Sequence, residues 1–158
     1  MSRCSVALAL LLGPCCVHAA ITCRLVSTPG LAFGPYDSLS RVPTDTLTNI
    51  RVTCERNGGP QNITLTMRLG GGNSASVHAR RLRQVGGAGD VLGYGLYRDV
   101  TRSTVWGETD SVDTVSQTLS IPNKATQSVT FTVYGRIPAL QDGSAGTYAD
   151  SVEITLLP

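Results

Sequence analysis

The chain has 158 residues, the length of one domain, with 17 glycines, 15% charged residues and a formal net charge of +2. So small a net charge gives no broad field for gripping nucleic acid or an acidic membrane. A hydrophobic fraction of 41% excludes a disordered tail.

Residues 1–19 read as a secretory signal. Arg3 supplies a short positive region, and residues 4–17 are apolar apart from Ser5. Val17-His18-Ala19 then places small or aliphatic residues where a signal peptidase needs them, so cleavage is expected after Ala19. The apolar run is shorter than the roughly 20 residues a membrane span requires, so no transmembrane segment is expected. Cys15 and Cys16 raise lipidation as an alternative, but Pro14 stands where a small residue should precede the modified cysteine. Residues 20–158 are then expected to form one exported domain.

Export removes Cys4, Cys15 and Cys16 and leaves Cys23 and Cys54. In an oxidising compartment these two form a disulfide, which closes a loop and stabilises the fold by about 3–4 kcal/mol. The alternative is a pair of free thiols at a metal or redox site. It has no Cys-x-x-Cys to support it, and His78 is the one histidine after the signal.

Beyond the signal, apolar residues recur with period two, and no strong helix emerges. Residues 21–26 and 31–36 are weak strand candidates. Residues 46–54 alternate from Thr48 onward, with Ile50, Val52 and Cys54 on one face. The clearest strand is 62–69, where Ile63, Leu65, Met67 and Leu69 oppose Asn62, Thr64, Thr66 and Arg68. Residues 80–85, 91–97 and 117–121 are weaker candidates. Residues 127–135 alternate Val129, Phe131 and Val133 with Ser128, Thr130, Thr132 and Tyr134. The last strand, 146–157, puts Tyr148, Val152, Ile154 and Leu156 on one face, interrupted by Asp150. Gly-rich turns such as Gly70-Gly71-Gly72-Asn73 and Gln141-Asp142-Gly143 separate the strands. The pattern predicts an all-β sandwich or barrel.

Chemistry-bearing residues are sparse, and no catalytic, cofactor-binding or metal site is expected. His78 lies in a polar stretch with no nucleophile context. Asp99, Glu108, Asp110 and Asp113 form an acidic neighbourhood, but the spacing of a calcium loop is absent; a hydrolase built on Glu108 and Asp110 lacks partners. Arg80, Arg81 and Arg83, with Arg98 and Arg102, resemble a basic patch, and read better as residues that cover strand edges or pair with the acids. Asn62-Ile63-Thr64 matches a glycosylation acceptor on a strand, a weak signal. Trp106, Tyr94 and Tyr97 offer aromatic contact to a ligand, or core packing.

Six stretches, in order, resemble the spore coat protein U domain family, also found in subunits of archaic, Csu-type chaperone–usher pili. They are Leu31-Ala32-Phe33-Gly34-Pro35-Tyr36-Asp37, Ile50-Arg51-Val52-Thr53-Cys54, Leu92-Gly93-Tyr94-Gly95-Leu96-Tyr97-Arg98-Asp99, Thr104-Val105-Trp106-Gly107, Val133-Tyr134-Gly135-Arg136-Ile137-Pro138, and residues 146–156 from Gly146-Thr147-Tyr148 to Ile154-Thr155-Leu156. The Cys23/Cys54 pair is similar to that family's first disulfide.

The resemblance implies an immunoglobulin-like β-sandwich that is incomplete, lacking its last strand. It also implies partners: a periplasmic pilus chaperone that fills the gap, an outer-membrane usher, and other pilus subunits that replace the chaperone by donating a strand. The expected product is a structural or adhesive surface subunit assembled by donor-strand complementation. The strand at 148–157 is followed directly by Pro158, so the face of Val152, Ile154 and Leu156 is the candidate strand-acceptor surface. After cleavage, Ala20, Ile21 and Thr22 precede Cys23, too few to donate a strand of roughly ten residues. The expectation is therefore an acceptor rather than a donor. The alternative is a self-complete secreted module that binds a surface glycan or another coat protein.

Overall fold

The computed structural model describes residues 20–87 and 89–158. The expected signal segment lies outside the described residues. Those residues form nine strands and no helix: β1 (Ile21–Ser27), β2 (Thr44–Arg56), β3 (Gln61–Leu69), β4 (Arg80–Gln84), β5 (Val91–Tyr97), β6 (Val115–Ile121), β7 (Thr126–Ile137), β8 (Tyr148–Ala149) and β9 (Ile154–Leu157). They build a six-stranded sheet in the order β1-β2-β7-β5-β4-β8 and a three-stranded sheet in the order β6-β3-β9. Packed face to face, these make the expected immunoglobulin-like sandwich.

Alternation places the core. Along β3, Leu65, Met67 and Leu69 are buried, and along β7, Phe131, Val133 and Ile137 are buried. The opposite face of β3 is polar and pairs across the ladder: Thr64 meets Thr118 and Thr66 meets Ser116 through their hydroxyls. The long ladder between β2 and β7 runs from Thr44↔Ile137 to Glu55↔Thr126. It carries Ile50 and Val52 into the core beside Phe131, whose ring lies 6.3 Å from that of Trp106.

Two segments depart from the sequence expectation. Residues 31–36 form no strand. Pro29 and Pro35 bring no amide to a ladder, and Gly34 turns the backbone with a φ of 73°. The segment lies extended over the inner face of the large sheet instead. The Thr46 and Thr48 hydroxyls of β2 donate to the carbonyls of Ala32 and Pro29. Leu31 and Phe33 fill the space above Gly135, where any side chain on β7 would collide with both.

The expected strand at 146–157 is split. β8 pairs with β4 in the large sheet, and β9 pairs with β3 in the small one. Residues 150–153 carry the chain from one sheet to the other.

Cys23 and Cys54 are bonded, directly opposite each other on β1 and β2 with Cα atoms 4.0 Å apart, so the free-thiol reading falls. The bond closes a loop of sequence separation 31 and fixes the outermost strand β1 to the ladder. Replacing both cysteines by alanine is expected to lower unfolding stability by about 3–4 kcal/mol in denaturant titration.

Candidate functional site

The two sheets close against each other on one side only. On the other, a groove with a volume of about 990 Å³ opens over the core. Its floor is the inner face of the large sheet, with Ile50 of β2, Val133 and Ile137 of β7, Tyr94 and Leu96 of β5, and Leu82 of β4. The strap at residues 28–38 forms one wall, and Leu69, Val152 and Ile154 form the other. That second wall is the edge of the small sheet. β9 pairs with β3 on one side, and no strand among the described residues pairs with its other side. An apolar groove beside a row of unpaired backbone amides and carbonyls is a template for one more strand.

Asp150 fixes the bend at the rim of this groove. Its carboxylate accepts hydrogen bonds from the Tyr94 hydroxyl at 2.6 Å, the Asn73 amide at 2.7 Å and the Ser151 amide at 2.8 Å. Burial, then the hydrogen bond to Asp150, pushes the Tyr94 hydroxyl far above its ordinary pKa, so it remains a donor. Gly72 sits against the same carboxylate with a φ of 66°; only a residue without Cβ fits there. The residue that interrupts the sequence pattern of the last strand is thus the pin of the crossover.

The sequence candidates separate clearly. Val152, Ile154 and Leu156 are all half-buried against the core; Val152 and Ile154 also line the groove, and Leu156 does not. Trp106 is 1% exposed and its indole N–H donates to the Met67 carbonyl at 2.9 Å, so it offers no ligand contact. Tyr94 is buried and Tyr97 half-buried.

Arg80, Arg81 and Arg83 do not form a patch. Arg81 and Arg83 are exposed, but Arg80 is wholly buried, and desolvation pulls its pKa down. Arg102 pairs with Asp45 at 3.3 Å and lies over the Tyr134 ring; Arg98 donates to the Thr114 carbonyl.

The acidic neighbourhood disperses into local structural roles. Asp99 caps the turn at 101–104 through the Ser103 and Thr104 amides, Asp110 pairs with Arg68, and Asp113 accepts from the Thr109 amide. Among the described residues no three His, Cys, Asp or Glu side chains converge on a metal position. His78 is exposed.

Comparison with known proteins follows the same lines. The profile of the Spore Coat Protein U domain matches residues 11–155. Protein U of Myxococcus xanthus is 38% identical over 85 residues, covering 54% of this chain and 44% of that protein. A chain of the CsuC-CsuE chaperone-tip adhesion subunit pre-assembly complex, from archaic chaperone-usher Csu pili of Acinetobacter baumannii, superposes with a TM-score of 0.53 at 18% identity. That match covers 87% of this chain and 40% of the other. The chain spans less than half the length of either protein, and the structural likeness is one of fold.

Asp150→Ala is expected to cost about 2 kcal/mol of stability, since three donors lose a charged acceptor, with Asp150→Asn intermediate; denaturant midpoints measure both. Acid should also destabilise the fold. The Arg136 hydrogen bond lowers the pKa of Asp45, the Thr101 hydroxyl and the Ser103 amide lower that of Asp99, and the Arg68 hydrogen bond lowers that of Asp110. A lowered pKa means that the native state binds the proton more weakly than the unfolded chain. The stabilisation is present above the ordinary carboxylate value of about 4 and is lost as pH falls through the lower native values. Tm measured against pH should decline below about 4, less steeply in Asp99→Asn.

Proposed function

This chain belongs to the Spore Coat Protein U domain family, and on that premise we propose that it is an exported structural or adhesive subunit of a surface pilus or coat, assembled by accepting a β-strand from another protein. The observation that carries the reading is the groove of about 990 Å³ flanked by the unpaired edge of β9. A strand laid along that edge pairs its backbone with β9 and sends alternate side chains to the floor of Ile50, Val133 and Leu96. Burying three such aliphatic side chains contributes about 5–8 kcal/mol, and ordering them costs roughly 0.5–1.5 kcal/mol each.

Exposed, the same edge invites aggregation. A chaperone that fills the groove during export is therefore the partner this chemistry asks for first. The similar solved complex pairs a chaperone with a tip adhesion subunit. On this reading an outer-membrane usher and further subunits follow, one of them supplying the permanent strand. The chain acts as acceptor. Its strand β1 is already committed to β2 along the ladder and covalently through Cys23 and Cys54, which leaves Ile21–Ser27 unable to serve a neighbour. Burial of Trp106 removes the residue best suited to glycan stacking, which weighs against a self-complete sugar-binding module.

A soluble, strand-length peptide that alternates Val or Leu with Thr or Ser tests the proposal. It should bind the purified protein with micromolar affinity by fluorescence polarisation, and a peptide of the same composition without alternation should not. Val152→Lys, checked for folding by circular dichroism, should weaken binding about tenfold or more by placing a charge in the groove wall. Equal binding of both peptides, or an unchanged affinity in Val152→Lys, would contradict the proposal.

A further inference from the structure

Among the described residues Arg80 is the one charged side chain that is fully buried, and it does not line the groove. Its side chain is 0% exposed. Each of its hydrogen bonds ends on a backbone carbonyl: Nε donates to Gly70 at 2.8 Å, one terminal nitrogen to Leu69 at 2.7 Å and Trp106 at 2.8 Å, and the other to Val77 at 3.0 Å. A guanidinium taken out of water costs several kcal/mol unless its donors are satisfied. Here four well-formed charge-assisted bonds offset that cost.

The carbonyls need Arg80 as much as it needs them. β3 ends at Leu69, and the backbone there divides its bonds among neighbours. The Leu69 amide donates to the Gly107 carbonyl at 3.0 Å, and the Gly70 amide donates to the Glu153 carbonyl, just before β9, at 2.9 Å. The Trp106 amide donates to the Leu96 carbonyl of the opposite sheet at 2.9 Å. Leu69, Gly70 and Trp106 are all buried, so their carbonyls have no water to turn to. Arg80 reaches them from β4, which belongs to the other sheet. Leu69 and Leu82 stand on the two sides of this link, and both line the groove.

We infer that Arg80 is a positioning residue: a clamp between the sheets that holds the β3–β9 wall at a fixed distance from the floor and so keeps the strand-accepting groove open before a partner arrives. This rests on the proposed function for the role of the groove, but the clamp itself does not. Without it, the end of β3 and the start of β9 lose their anchor to β4, and two apolar walls are free to close on each other. The planar fork matters as well as the charge. Lysine carries three donors at a single point and cannot reach carbonyls spread around the edge of the guanidinium plane.

Amide exchange and peptide uptake together test this. In Arg80→Lys, the Gly70 amide and those amides of β9 that face β3 should exchange about tenfold faster or more than in the wild type, and the alternating peptide should bind about tenfold more weakly. Ile121→Val serves as control. It removes a methylene from the core at the opposite end of β3, where Ile121 pairs with Gln61, and should leave both readouts near the wild-type values. In the wild-type protein itself, the Arg80 Nε proton should give a slowly exchanging NMR signal, a reading that does not depend on any variant folding. A freely exchanging Arg80 Nε proton, or an Arg80→Lys protein with wild-type exchange at Gly70, would overturn the clamp. Faster exchange with unchanged peptide uptake would overturn its link to the groove. If the wild type takes up no peptide at all, the strand-accepting role fails instead, and the exchange measurements still judge the clamp.

Discussion

A buried backbone amide or carbonyl must find a partner, and this sandwich meets that requirement everywhere its sheets close but leaves the outer edge of β9 without a strand. On the closed side, the backbone at Trp106 and Gly107 is shared between the sheets. Its amide at Trp106 bonds to β5, its carbonyl at Gly107 bonds to the end of β3, and the indole of Trp106 bonds to Met67. Arg80 completes that seam by supplying donors to the carbonyls left over. On the open side, β9 offers a row of groups with no strand to take them, above a floor of aliphatic side chains. The fold therefore carries its unmet hydrogen bonds and its exposed apolar surface in the same place. One added strand satisfies both.

The strands themselves were legible because period two is a direct consequence of the pleat. Leu65, Met67 and Leu69 face inward and Thr64, Thr66 and Arg68 outward, as their spacing requires. What the spacing does not encode is hydrogen bonding. Residues 31–36 alternate like a strand and point Leu31 and Phe33 inward like one, yet Pro35 and the left-handed Gly34, with Pro29 just before them, leave them without a ladder. Residues 146–157 alternate like one strand, yet pair with two different sheets. The signal was present in Asp150, a carboxylate on an otherwise apolar face. Its three hydrogen bonds explain why the strand must bend there.

The candidate site was legible in part. Of the three residues on the expected face, Val152 and Ile154 line the groove beside the open edge of β9, and Leu156 lies beyond its lining. Arg80 was hidden by its company. Two neighbouring arginines, Arg81 and Arg83, are exposed as charged residues normally are, and only the strand alternation of β4 separates Arg80 and Leu82 from them. An arginine at an inward position of a strand must find acceptors there, and which ones can be read only once the register of β4 is fixed.

Charge elsewhere in the molecule serves local order. The carboxylates at Asp45, Asp99 and Asp110 each hold an arginine or a turn, and none converges with others on a reacting centre. The proposed chemistry is that of the backbone: pairing along β9 with alternate side chains seated below. A crystal structure of the protein with the alternating peptide bound tests this most directly. The account predicts the peptide extended in the groove, its backbone hydrogen-bonded to Ile154–Leu157 and its apolar side chains against Ile50, Val133 and Leu96. A peptide seated elsewhere, with the edge of β9 still unpaired, would contradict it.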